Sequence, residues 1–201
     1  MKTSARDVPR SLGAAARSFF RFGSPRLLAA QLLGAVAVRP LLGGFGKADA
    51  AIVAAVAVYW PLQEWIAHKF LLHAKPMRVF GRDIELAAAR VHRMHHEDPL
   101  DPGLSLLPTR TILILMPIHI GLWCALAPSR SAACTGIAVF GGATLLYEWI
   151  HFLTHTAHKP RSAWFREVRT RHMWHHQRDP QRWFGFVMPR LDDWLGTGGS
   201  S

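Results

Sequence analysis

The chain is poor in charge. Only 18% of its 201 residues are Asp, Glu, Lys or Arg, against about 25% in an ordinary soluble domain. Acidic residues are scarcer still, 13 against 24 basic ones. With two cysteines, Cys124 and Cys134, there is no disulfide framework. Both read as ordinary apolar side chains, and a bridge between them cannot be argued from sequence. No G-x-G-x-x-G occurs, so no nicotinamide site is signalled. No pattern marks a lone Ser, Cys or Asp nucleophile. The basic residues 1–26 lack an apolar run followed by a small-residue cleavage site. They read as a cytoplasmic, amphipathic lead-in, not a cleaved signal. The net charge of +11 invites a nucleic-acid reading. However, no basic, aromatic-interleaved stretch stands apart from the apolar segments, which excludes nucleic acid as a partner.

Apolar sequence fills the space that charge leaves. Half of the chain is hydrophobic, and the bias concentrates in residues 27–45, 48–67, 111–128 and 132–152. Each approaches the ~20 residues a helix needs to cross a bilayer. Arg39 and Pro40 interrupt the first run; Pro61 and Pro117 sit inside the second and third. Four buried helices of a soluble protein are the alternative, but too little polar helix remains to cover them. The basic residues set an orientation. Residues 1–26, 68–110 and those after 155 hold six, seven and eight of them, whereas the two intervening connections hold two and one. If both termini are cytoplasmic, 21 of 24 lie inside, as the positive-inside rule requires for an even number of spans.

Ten of the twelve histidines form four clusters in two matching pairs: His68 and His73, then His92, His95 and His96; His151 and His155, then His172, His175 and His176. Imidazole binds Zn, Fe, Cu or Ni as a neutral ligand, and ten imidazoles suit two ions side by side. The flanks repeat too. Glu64-Trp65-Ile66 precedes the first cluster and Glu148-Trp149-Ile150 the third. Asp83 and Ser162 are candidate N-caps for the short helices bearing the H-x2-H-H motifs, and Asp98-Pro99 and Asp179-Pro180 end them. This repetition predicts pseudo-twofold assembly round a shared centre.

In a helix, residues i, i+3 and i+4 share a face, so each H-x2-H-H projects as a unit and His151 and His155 pair. His68 and His73 lie about 140° apart on an ideal helix and converge only if the helix loosens there. Without a cation, ten buried imidazoles would leave many nitrogens unpaired at about 1–3 kcal/mol each. Glu64, Glu148 and His158 are candidates to bond the histidines' outer ring nitrogens, with ion pairing at the interface as the carboxylates' alternative. His119, mid-span, reads as a hydrogen-bonded packing residue, with substrate contact left open.

The ordered set H-x4-H, H-x2-H-H, H-x3-H, H-x2-H-H on four spans resembles the fatty acid hydroxylase / sterol desaturase superfamily of membrane di-iron enzymes. His95-His96-Glu97-Asp98-Pro99-Leu100-Asp101 is similar to the H-H-x-x-P-x-D of its fatty acid 2-hydroxylase branch. Phe184-Gly185-Phe186, Pro189, Asp192 or Asp193, and Gly196-Thr197 resemble the closing F-G…P…D…G-T. The resemblance covers about residues 60–197. It implies an all-α integral membrane four-helix bundle with a cytoplasmic helical cap carrying a histidine-rich dimetal centre. Residues 27–197 would form the domain and residues 198–201 a tail; fraying is expected over Gly196–Ser201. The ligands would be His68, His73, His92, His95, His96, His151, His155, His172, His175 and His176, with no catalytic residue apart from the centre. The implied cofactors are two iron ions, exchangeable for zinc on purification, with O2 as co-substrate. The implied reaction is hydroxylation or desaturation of a lipid C–H bond, foremost on a fatty acyl chain; sterol and carotenoid substrates are the alternatives. No fused cytochrome b5 domain is expected, so electrons would come from a separate b5-type or ferredoxin-type donor. The membrane would be a bacterial inner membrane or the endoplasmic reticulum. From a different class, a membrane metal carrier or sensor would place its site mid-bilayer along a polar path, where these spans offer only His119.

Overall fold

A computed structural model describes residues 8–199. Its frame is four helices long and apolar enough to cross a membrane. They are α2 (Gly23–Val38, extended by a 3-10 turn to Leu42), α3 (Lys47–Ile66), α5 (Thr109–Leu126) and α6 (Arg130–Thr154). Little of their surface is covered by protein, and Leu33, Val58, Leu113, Leu122 and Leu126 point outward. Apolar side chains facing outward along a helix fit lipid as the solvent.

Helix α6 is the hub, packing against α2, α3 and α5. Trp60, Phe140, Tyr147, Ile150 and Phe152 build the core around it. Arg39 interrupts α2 and turns inward, bonding Asp49 at 2.8 Å and Thr135 at 2.8 Å, so three spans are tied together at the end away from the histidines. His119 accepts from Trp123 Nε1 at 2.7 Å and stacks on Phe140, at 4.2 Å between ring centres. These are the hydrogen-bonded packing contacts that its mid-span position suggests. Both cysteines are free.

One feature sharpens the sequence reading and two differ from it. The lead-in contains a helix, α1 (Leu12–Phe19), capped by Ser11 and packed through Phe19 on Trp149 and Phe152; residues 1–7 lie outside the described residues. Asp83 caps no helix. It lies in β2 (Arg82–Ile84), paired with β1 (Met77–Val79), the one hairpin among the described residues. Phe80 and Gly81 both take positive φ, the backbone of a two-residue hairpin turn. The following helix, α4 (Ala87–Glu97), has Leu86 as its N-cap and starts three residues later than Asp83 would have set it. Residues 196–199 are not frayed. Thr197 and Gly198 fold back on Asp192, because the turn at Gly196 lets their N–H groups reach its carbonyl at 2.8 and 2.9 Å. Residues 200–201 lie outside the described residues. The remaining helices are α7 (Ala163–Gln177), capped by Ser162 as expected, and the short α8 (Leu191–Trp194).

Candidate metal centre

The second and fourth spans end at the same level, and each delivers a histidine pair there. Past Ile66, α3 becomes a π-helix over Ala67–Leu72, and the His73 N–H bonds the His68 carbonyl at 3.2 Å. An i→i+5 turn adds about one residue to each turn. This is the loosening that His68 and His73 need to share a face. His151 and His155 need no such change at the end of α6. Helices α4 and α7 lie across this end and bury His92, His95, His172 and His175.

The structure gathers nine of the ten histidines into two sets. His68, His73, His92 and His175 form one; His95, His151, His155, His172 and His176 form the other. Within each, the ligand nitrogens all lie within 4.8 Å of one another. His96 stands between them, with its Nε2 3.1 Å from that of His92 and its ring stacked on His176. The sets do not follow the halves of the sequence. Each H-x2-H-H motif sends its middle histidine, His95 or His175, across to the other half's set. Pseudo-twofold pairing with exchanged members makes the centre one unit.

The two span carboxylates repeat the exchange. Glu64, from the first half, accepts the backbone N–H groups of Phe186 and Val187, in the loop after α7. Glu148, from the second, accepts that of Leu107 at 2.7 Å, in the loop after α4. Neither bonds a histidine, which corrects the expectation from sequence. The nearer unpaired donors were loop amides, which compete for a buried carboxylate as strongly as an imidazole does. His158 also stands aside; its ring faces Phe165 and no histidine. The outer nitrogens of His68 and His175 are held instead by backbone carbonyls, Phe184 O at 2.7 Å and Arg182 O at 2.6 Å. These carbonyls left no side-chain signal to read.

The residues fit metal ions on their own chemistry. A carbonyl at Nδ1 requires the proton there, so the Nε2 atoms of His68 and His175 present lone pairs. Facing Nε2 atoms lie 2.8–3.2 Å apart throughout both sets. Neighbouring ligands at right angles, each ~2.1 Å from one ion, lie about 3.0 Å apart. Lone pairs that face each other repel unless a cation lies among them. Burial pushes the imidazoles toward the neutral form that binds metal: His73 and His96 to about 4, and His92, His95, His155, His172 and His175 well below 6.5, with neighbouring imidazoles adding to all of these but His96. Unfolded, these groups take up protons near pH 6.5. Chelator-treated protein is therefore expected to be most stable above that pH and to lose stability as the pH falls toward about 4. Its melting temperature should be lower at pH 5 than at pH 7.5; equal values would contradict the neutral assignment.

A cleft of about 20 Å³, lined by Leu72, Val91, Leu106, Tyr147, His92 and His151, touches both sets. A wider cavity, about 660 Å³, lies among Val36, Arg39, Phe45, Val53 and Val139 at the opposite end of the spans. It has no histidine and is remote from this chemistry.

Membrane-length helices with ten imidazoles gathered at one end define a class: integral membrane proteins built round a histidine-lined site that can hold metal. Within it, the chain belongs to the fatty acid hydroxylase family, whose profile matches residues 53–197. Two dihydroceramide fatty acyl 2-hydroxylases of Arabidopsis thaliana are 29% identical to it over 148 and 142 residues, covering 73% and 69% of this chain. A fatty acid 2-hydroxylase of Rattus norvegicus is 25% identical over 140 residues, 69% of this chain. These matches span 60%, 56% and 37% of the relatives' own lengths. No solved structure shows a significant match.

Proposed function

We propose that the protein hydroxylates a C–H bond of a membrane lipid, with a fatty acyl chain as substrate. The observation that carries this reading is the convergence of histidine lone pairs on two points at the end of a lipid-exposed bundle. The names of its relatives support the choice of substrate. An unactivated C–H bond lies beyond side-chain acids and bases. Two iron ions, held by the four-membered and five-membered sets with His96 between them, would supply the oxidising power by activating O2. One oxygen atom enters the lipid and the other leaves as water, with two electrons and two protons consumed. The electrons come from a separate donor protein.

The chain's own residues bind, orient and exclude. The imidazoles supply the ligands. The backbone carbonyls of Arg182 and Phe184 orient two of them, and Glu64 and Glu148 fasten the loops that roof the centre. Leu72, Val91, Leu106 and Tyr147 give an apolar approach to both sets. We place both termini and the centre on the cytoplasmic side, on the strength of the basic-residue distribution. Lipid extracts of cells with and without the gene test the reading by mass spectrometry. Acyl chains heavier by one oxygen atom are expected; chains lighter by two hydrogen atoms would mean desaturation, and no change would contradict both.

A further inference from the structure

The segment after α7 reaches the histidines' ring nitrogens through its backbone, while the Phe184 ring packs on His68, His73 and His175 and the Phe186 ring on His151 and His172. The Arg182 carbonyl lies against His175 Nδ1 and the Phe184 carbonyl against His68 Nδ1. Both rings belong to the set of four. The residue between the two carbonyls, Trp183, has φ +55, a conformation that a bulky side chain adopts only where its surroundings enforce it. In the set of five, the Nδ1 atoms of His95, His172 and His176 have no protein partner.

Asp192 supplies the enforcement. Fully buried, it accepts from Phe184 N at 2.9 Å, Gly185 N at 2.8 Å, Trp65 Nε1 at 3.1 Å and Thr197 Oγ1 at 2.7 Å. Thr197 in turn accepts from Trp65 Nε1 at 3.0 Å, and its carbonyl takes the Trp183 N–H at 3.0 Å. One carboxylate thus ties the strained turn to α3, the helix that leads into His68. Gly185 permits the closeness: a Cβ there would lie 2.9 Å from the Met188 carbonyl and 3.1 Å from Asp192 Oδ2.

We propose that Asp192 is the positioning residue of the four-histidine site: it holds the left-handed turn at Trp183, whose flanking carbonyls orient His68 and His175 by hydrogen bonds, whereas the segment touches the other set only through the packing of Phe186 on His151 and His172, so that loss of Asp192 costs this site's ion first. The proposal rests on the metal-centre reading above. Asparagine at 192 would keep the volume but lose one acceptor oxygen, and both oxygens are in use.

The test is titration of wild-type, Asp192→Asn, Gly185→Ala and His172→Ala protein with cobalt(II), reading ions per chain and the visible spectrum. Wild type should take two ions. Asp192→Asn and Gly185→Ala should each keep one, or bind the second at least ~10-fold more weakly. His172→Ala should lose the other ion, and the Asp192→Asn and His172→Ala spectra should sum to that of wild type. Two tightly held ions in Asp192→Asn would overturn the proposal. So would loss of both ions together in Asp192→Asn and Gly185→Ala, which would mark the segment as general support. A wild-type chain that binds no cobalt would defeat the metal centre itself, a separable failure.

Discussion

His95→Ala is expected to abolish lipid oxidation and to remove the ion of the five-histidine set, even though His95 belongs by sequence to the other half. Its Nε2 lies 3.0 Å from that of His155 and 3.2 Å from that of His151, so its loss opens the set at its middle. His95 is fully buried, so alanine leaves a cavity with no ligand nitrogen in it. His175→Ala should do the same to the four-histidine set, whose His73 lies 3.1 Å from it. Because the two sets abut at His96, oxidation should fall below detection in either variant while about one ion remains. Elemental analysis beside the lipid assay separates these outcomes. Retained full activity in either variant would remove that histidine from the ligand set.

Glu64→Ala is expected to be strongly destabilising although it lies away from the histidine ligands. The carboxylate, inside the bundle, takes two backbone N–H groups from a loop more than a hundred residues distant in sequence. Removing it leaves both donors buried and unpaired, at about 1–3 kcal/mol each, and adds a cavity. A loss of ~3–5 kcal/mol follows, visible as a large fall in melting temperature in detergent. Glu64→Gln should be much milder. The Val187 N–H lies within reach of both oxygens, so a single amide oxygen can serve the two amides. If Glu64 instead acted on a histidine ring, the glutamine variant would lose metal as readily as the alanine one.

Much of this arrangement is legible in the sequence, because it rests on period and repetition. Apolar length marks the four spans, the spacing of His68 and His73 marks the loosened turn, and the paired motifs mark one shared centre. The exchange of His95 and His175 is not legible. Spacing places three histidines on one face, but how α4 packs on the end of α3 and α7 on the end of α6 decides which set each joins. The partners of Glu64 and Glu148 are hidden for another reason. They are backbone amides, which every residue carries, so no side chain announces them. Asp192 stood in the sequence only as part of a closing motif shared with Asp193; its burial and four donors come from the fold. The hairpin is hidden in the sequence because Asp83 looks like a helix cap, while the Phe80-Gly81 reversal that makes it a strand residue is a weaker signal.

Anomalous X-ray scattering from iron-loaded protein tests the central arrangement most directly, since it counts the ions and locates each against named side chains. Two ions per chain are expected, one within the set of His68, His73, His92 and His175 and one within that of His95, His151, His155, His172 and His176. A single ion held by histidines of one sequence half alone, or iron bound away from these imidazoles, would contradict it.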